Sequence, residues 1–246
     1  MDLASKFAIH IHNDMNVIIT GASAGIGFEL TKQFIADSSI TTVIGIARRS
    51  GWSIPLEAFE RTSGFHGKFI PLVSDVIEVS LEEVKRHVQH VHILINNAGL
   101  LKTAPFQALT ESDFLDVYRT NVFAPAHLIK ELSPLLGGAA GSHIVNIGSM
   151  GGFQGSSKFA GLSAYSSSKA ALACLTECLA EEFKEDNIKV NCLAIGAVQT
   201  EMLAQAFPGF IAPVTAIQMA SYIKEFSCNA HHYYNGKVLP VSLSTP

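Results

Sequence analysis

Tyr165 and Lys169 stand four residues apart in Tyr165-Ser166-Ser167-Ser168-Lys169-Ala170-Ala171-Leu172, a stretch of helical character. At that spacing both side chains share one helix face. An ordinary tyrosine has a pKa of about 10 and exchanges protons poorly at neutral pH. A neighbouring ammonium favours the phenolate and makes tyrosine a workable acid–base group. Ser149 closes the run His143-Ile144-Val145-Asn146-Ile147-Gly148, where its hydroxyl can polarise a carbonyl or hold an alcohol. Taken singly these are a surface Tyr, a solvated Lys and a turn Ser. Their company gives them weight.

That company begins with Val17-Ile18-Ile19-Thr20-Gly21-Ala22-Ser23-Ala24-Gly25-Ile26-Gly27, a strand, a glycine-rich turn and a helix start. Gly21 permits a tight turn, and Gly25 and Gly27 permit close approach of backbone to ligand and sheet. The helix start presents free N–H groups to a diphosphate, and Ser23 can add a hydroxyl. The spacing is Gly-x-x-x-Gly-x-Gly rather than the commoner Gly-x-Gly-x-x-Gly. The next strand ends Ala47-Arg48-Arg49-Ser50, without the acid that selects a free ribose 2′-hydroxyl. Arg suits a 2′-phosphate. The expected cofactor is NADP(H), with NAD(H) still open. Asn96-Asn97-Ala98-Gly99 follows a further apolar run, and Asn121 lies in a helical pattern, where it is either solvated or holds a water from a buried face.

The elements that must position these groups alternate. Strands are predicted at Asn16–Thr20, Thr41–Ile46, Lys68–Val73, His92–Asn96, His143–Ile147, Lys189–Ala194 and Lys237–Val241. Helices are predicted at Ile26–Ala36, Leu81–Val88, Ser112–Leu136, Ser163–Lys184 and Pro213–Phe226. Alternating βαβ units with apolar strands indicate an α/β fold, a Rossmann-type doubly wound parallel sheet flanked by helices on both faces. Such sheets bind ligands at the carboxyl ends of their strands, and the motifs fall there or on the following helix.

The 246 residues show no linker, repeat or low-complexity tract, so a single domain is expected over 1–246, with residues 1–14 as an N-terminal extension. A net charge of −4 gives no basic footprint for nucleic acid. No apolar run approaches the ~18 residues of a membrane helix, and residues 1–14 lack the pattern of a secretory signal. Cys174, Cys178, Cys192 and Cys228 have no Cys-x-x-Cys spacing and are expected to be small buried thiols in a reducing cytoplasm. The histidine pairs His10/His12, His90/His92 and His231/His232 come with no ligand-spaced partners, so no metal is expected.

On these motifs the chain, from about Val17 to Val241, resembles the single-domain short-chain dehydrogenase/reductase family. The resemblance implies that Gly21, Ser23, Gly25, Ile26 and Gly27 form the cofactor turn. It implies that Asp75 contacts adenine and that Asn97, Ala98 and Gly99 lie beside the adenosine ribose and nicotinamide. Asn121, Ser149, Tyr165 and Lys169 would be the catalytic tetrad: Tyr165 the general acid–base, Lys169 on the nicotinamide ribose and lowering the tyrosine pKa, Ser149 orienting substrate, and Asn121 supporting a water linked to Lys169. Thr200 would meet the carboxamide. Ile195-Gly196-Ala197-Val198-Gln199-Thr200 departs from the usual Pro-Gly-x-x-x-Thr, Met150–Ala164 looks about three residues longer than usual, and the stretch after Thr200 looks shorter. The long helix at Ser112–Leu136 and the small-residue helix at Ser163–Lys184 imply a homodimer or homotetramer.

The expected function is NADP(H)-dependent interconversion of a carbonyl and an alcohol. The expected substrate is a small apolar ketone, aldehyde or secondary alcohol, held under a lid at residues 200–226 and lined by Met150, Phe153, Met202, Leu203, Phe207 and Phe210. Two alternatives stay open: a cofactor-binding sensor without turnover, and a 3-oxoacyl-thioester reductase, for which a basic mouth is hard to find beyond Lys158.

Overall fold

The computed structural model describes residues 15–243; the expected N-terminal extension with His10 and His12 lies outside them. The chain runs through β1 (Met15–Thr20), α1 (Gly25–Ile35), β2 (Ile40–Ala47), α2 (Ile54–Thr62), β3 (Lys68–Val73), α3 (Leu81–Lys85) and β4 (Ile93–Asn96). It continues through α4 (Glu111–Tyr118), α5 (Ala124–Leu132), β5 (Ser142–Ile147), α6 (Ser163–Glu182) and β6 (Ile188–Ile195). It ends with β7 (Val198–Gln199), α7 (Glu201–Ala206), β8 (Val214–Thr215), α8 (Ala216–Asn229) and β9 (Val238–Val241).

Seven strands form one sheet in the order β3-β2-β1-β4-β5-β6-β9, every pair parallel. The order reverses between β1 and β4. The chain winds outward through β2 and β3, then returns to the other side of β1, which opens a crevice at the carboxyl ends of β1 and β4.

The strands are largely apolar because both faces are covered, and the polar residues they carry are mostly buried too. Val17 and Ile19 pack on one face with Leu30 and Phe34 of α1 and with Ala220, Ile223 and Phe226 of α8. Ile18, one residue out of phase, faces the other side with Leu128, Ile129 and Leu132 of α5 and Ala180 of α6. All three strand residues are fully buried. This period-two division gives the single sheet two cores.

Three local outcomes differ from the sequence-based expectation. The helix expected over Ser112–Leu136 divides into α4 and α5 around a π turn at Arg119–Phe123, where the Ala124 N–H reaches back to the Arg119 carbonyl. Pro125 supplies the reason: it has no N–H to give the carbonyl four residues earlier, that of Asn121. The stretch 200–226 also divides. Residues 201–206 form α7 at the cleft. From Ala216 the chain belongs to α8, started by a capping box between Thr215 and Gln218 and packed on α1 and the sheet. The third outcome corrects the cysteine expectation. Helix α6 turns Leu172, Thr176 and Ala180 inward, so Cys174 and Cys178 lie exposed on its opposite face; Cys192 is buried and Cys228 half-buried.

Candidate active site

The crevice is a cleft of about 390 Å³. Its floor starts at the glycine turn. Gly21 has φ +69°, and a Cβ there would stand 2.8 Å from the Ala98 Cα. A Cβ on Gly27 would stand 2.2 Å from the Gly21 carbonyl oxygen, so α1 can meet the turn only with glycine there. Asn97 ties the turn to β4, its Nδ2 donating to the Thr20 carbonyl at 3.0 Å and the Gly21 carbonyl at 3.3 Å. Thr20 Oγ1 accepts from the Asn97 and Ala98 N–H groups, both at 3.0 Å. Thr20 escaped the sequence reading because a strand-end threonine carries no motif of its own. Helix α1 has no side-chain cap and no acid in its first turn, so none of its own side chains competes for its N–H groups at the cleft.

Two walls flank this floor. One holds Ala47, Arg48, Ser74 and Asp75. Asp75 also accepts from the Ile77 N–H at 3.3 Å, fixing the turn that follows β3. The two arginines divide. Arg48 lines the cleft, whereas Arg49 lies outside the lining and donates from Nη2 to the Ser23 carbonyl at 3.1 Å, clamping the glycine turn from behind. The opposite wall carries Ile195, Thr200, Glu201, Met202 and Gln205. Thr200 caps α7, accepting from the Leu203 N–H at 3.3 Å. Of the six residues expected to make an apolar lining, Met202 reaches this cleft. Phe207 instead packs edge-on against Phe159, ring centroids 5.5 Å apart.

The chemical end of the cleft is built from β5 and α6. Tyr165 and Lys169 both line it. The Ser149 side chain stands beside the Tyr165 hydroxyl, and its Oγ accepts from the Gly151 N–H at 3.2 Å. Lys169 is 4% exposed and donates from Nζ to the Ile147 carbonyl at 2.7 Å. Its ammonium lies 5.9 Å from the Tyr165 ring centroid. Burial lowers the Lys169 pKa to about 8, an unusual state for a lysine and one characteristic of functional sites. Burial pushes the Tyr165 hydroxyl upward, and the neighbouring Ser149 side chain opposes it. In the protein alone the tyrosine is therefore held neutral rather than activated.

Asn121 is fully buried at the π turn. It grips the chain after β4, with Oδ1 accepting from the Leu100 N–H at 2.8 Å and Nδ2 donating to the Leu100 carbonyl at 2.9 Å. Its Nδ2 also donates to Ser168 Oγ at 2.9 Å, and Ser168 in turn donates to the Tyr165 carbonyl at 2.7 Å. Ser168 went unrecognised in sequence because a serine inside a helix is ordinarily solvated. Gly99 lies against both partners of this corner: a Cβ there would be 3.6 Å from Asn121 Oδ1 and from Lys169 Nζ. Of the four expected tetrad residues, Tyr165 and Lys169 line one end of a cleft whose other end is the glycine turn; Ser149 and Asn121 lie close to them but outside the lining.

Residues 15–209 match the short chain dehydrogenase family. The chain belongs to the short-chain dehydrogenase/reductase family. Its members are oxidoreductases acting on CH–OH and C=O groups, and this chain is one of them. It is 30% identical to a 3alpha-hydroxysteroid dehydrogenase of Mediterraneibacter gnavus, over 81% of this chain and 80% of that one. It is 32% identical to a fatty acyl-CoA reductase of Mycobacterium tuberculosis, over 84% and 71%. The fold superposes on L-sorbose reductase from Gluconobacter frateurii, solved with NADPH and L-sorbose, with TM-score 0.81 at 21% identity, over 93% of this chain and 95% of that one. Among the described residues no helix is long and apolar enough to cross a membrane.

Proposed function

We propose that this oxidoreductase uses NADP(H) to interconvert a carbonyl and an alcohol, with Tyr165 as the acid–base group. One observation carries the reading: Tyr165, beside Ser149 and one helical turn from the buried Lys169, opens into the same cleft as the uncapped α1 and Arg48.

The cradle fits a dinucleotide. Gly21, Ser23, Gly25, Ile26 and Gly27 would hold its diphosphate against the start of α1. Asp75 would hold the adenine edge, Asn97, Ala98 and Gly99 would line the ribose path, and Thr200 would take the carboxamide. Arg48 would meet a 2′-phosphate, with Arg49 keeping the turn in place behind it. Bound, the nicotinamide supplies or accepts the hydride. Tyr165 gives its proton to the oxygen of a carbonyl being reduced, or takes it from an alcohol being oxidised. Ser149 orients that oxygen. Lys169, largely protonated below about pH 8, stabilises the tyrosinate left behind. The Asn121 carbonyl, which Pro125 cannot supply with an N–H, would accept from a water linked to Lys169.

An apolar substrate is supported by the relatives named for a hydroxysteroid and a fatty acyl-CoA. A homodimer or homotetramer is supported by Leu115 and Phe123, 55% and 51% exposed. The cytoplasm suits the free thiols. Fluorescence titration with NADPH and with NADH tests the cofactor. Tighter NADPH binding that is lost in Arg48→Ala supports the reading; equal or tighter NADH binding contradicts it.

A further inference from the structure

Ser168 lies inside α6 between Tyr165 and Lys169 and is fully buried. Its hydroxyl works in both directions, accepting from Asn121 Nδ2 at 2.9 Å and donating to the Tyr165 carbonyl at 2.7 Å. The two serines before it do not. Ser167, half-buried, donates to the Ala164 carbonyl at 3.1 Å within its own helix, and the Ser166 Oγ is shielded and has no partner. A buried hydroxyl paired twice is satisfied, and losing it leaves a buried donor without its acceptor.

Asn121, its partner, sits in the π turn with no freedom of orientation. The Leu100 N–H needs an acceptor, so Oδ1 faces it at 2.8 Å. Nδ2 then gives one hydrogen to the Leu100 carbonyl at 2.9 Å and the other to Ser168. Among the described residues this last bond is the one hydrogen bond joining the π turn to α6. Lys169 ties the same helix to β5 through the Ile147 carbonyl. The Asn121 amide and the Lys169 ammonium also flank one glycine, since a Cβ on Gly99 would stand 3.6 Å from each. Packing apart, the placement of the π turn against Lys169 therefore depends on Ser168.

We propose that Ser168 is a positioning residue for proton transfer. Through Asn121 it holds the π turn against α6, so that the Asn121 carbonyl and the Lys169 ammonium keep the spacing a bridging water needs. The inference rests on the proton-transfer roles proposed above for Tyr165 and Lys169. The other two bonds of the Asn121 amide go to the chain after β4, not to the helix that carries these groups, so they cannot set that spacing. Ser168 touches no reacting atom; it acts through Asn121.

Single-turnover reduction of acetophenone, 2-octanone and 2-decalone by NADPH, in light and in heavy water, tests the role; the fastest of these ketones serves for every variant. Ser168→Ala lowers the rate about tenfold, the size of one lost buried hydrogen bond. It also raises the solvent isotope effect, while NADPH affinity is kept. Ser168→Thr, whose hydroxyl can still bond the carbonyl three residues back, recovers most of the rate. Ser167→Ala keeps the parent rate. In an Asn121→Ala background Ser168→Ala costs nothing further, because both act through one bond. A packing role alone would lower the melting temperature and leave the isotope effect unmoved. The inference is overturned if Ser168→Ala keeps the parent rate and isotope effect, or if its loss multiplies with that of Asn121→Ala. It is equally overturned if Ser168→Thr, at the parent melting temperature, recovers nothing. If Asn121→Ala does not fold, the two Ser168 variants decide alone. Tyr165→Phe, run beside them, separates the two levels. A slow Tyr165→Phe with a fast Ser168→Ala sinks this inference alone. A fast Tyr165→Phe, or a parent that reduces none of the ketones, sinks the proton-transfer reading and this inference with it.

Discussion

Two buried polar networks lie at opposite ends of β5, and they differ in how completely their groups are used. At the amino end, His143 is 2% exposed. Its Nδ1 donates to the Ser227 carbonyl at 2.8 Å and its Nε2 accepts from Asn191 Nδ2 at 3.0 Å. A carbonyl only accepts and an amide nitrogen only donates, so the neutral tautomer is fixed. Asn191 also donates to the Tyr234 carbonyl and accepts from the Lys237 N–H, both at 3.0 Å, stitching the chain before β9 onto β6. At the carboxyl end, Lys169 has three donors and uses one on Ile147. Tyr165 lines the cleft, and no protein group among the described residues is bonded to its hydroxyl. A saturated network holds two elements together. An unsaturated one, kept at the cost of burying a charge, is available to a reacting group.

The largest effect that separates the two is on rate. Lys169→Ala lowers carbonyl turnover by about 10²–10⁴-fold while the melting temperature stays within a few degrees, measured by steady-state kinetics beside thermal denaturation. A stability loss comparable to that of a core deletion, with turnover kept, would place Lys169 among the structural groups. His143→Ala does the reverse. It removes a buried ring and leaves one N–H of Asn191 Nδ2 and the Ser227 carbonyl without their His143 partner, costing about 2–4 kcal/mol of stability by urea unfolding; the folded fraction keeps its KM for the cofactor.

Acid sharpens the same contrast. Burial lowers the His143 pKa from 6.5 to about 4. The unfolded chain therefore binds more protons between those values, and stability falls as pH drops from about 6.5 toward 4. The His143 share is on the order of 3 kcal/mol; His143→Ala removes it and leaves that of His231, whose pKa burial also lowers to about 4. A flat urea midpoint across that range in the parent protein would contradict the assignment. The smallest effect lies between the two arginines. Arg48→Ala weakens NADPH binding roughly tenfold and NADH binding little. Arg49→Ala, acting through the Ser23 carbonyl, weakens both alike by a smaller factor. Equal discrimination lost in both variants would erase the division of roles.

Much of this was legible in the sequence. Each of the seven predicted strands falls within one or two residues of its observed bounds, because strands covered on both faces are apolar runs that few other structures demand. The glycine turn was legible because Gly21 and Gly27 sit where any Cβ collides. Contacts that depend on tertiary neighbours were not. Helix α2 buries Leu56 alone among its residues, too little to set a period. The two-residue ladder of β7 and β8 is shorter than any pattern. His143 sat among ten histidines with nothing local to mark it as buried. Cys174 and Cys178 were expected inside because their helix is rich in small residues, yet which face turns inward is decided by Leu172, Thr176 and Ala180. The split between Arg48 and Arg49 required the Ser23 carbonyl to be seen in place.

The central claim is that the open network moves a proton. Tyr165→Phe removes one oxygen and keeps the ring. Single-turnover reduction of an apolar ketone by NADPH-loaded Tyr165→Phe, with NADPH affinity measured on the same sample, tests the claim directly. The account predicts NADPH binding within a few-fold of the parent and reduction slower by about 10²–10⁴-fold. Reduction within a few-fold of the parent rate, with binding intact, would contradict it.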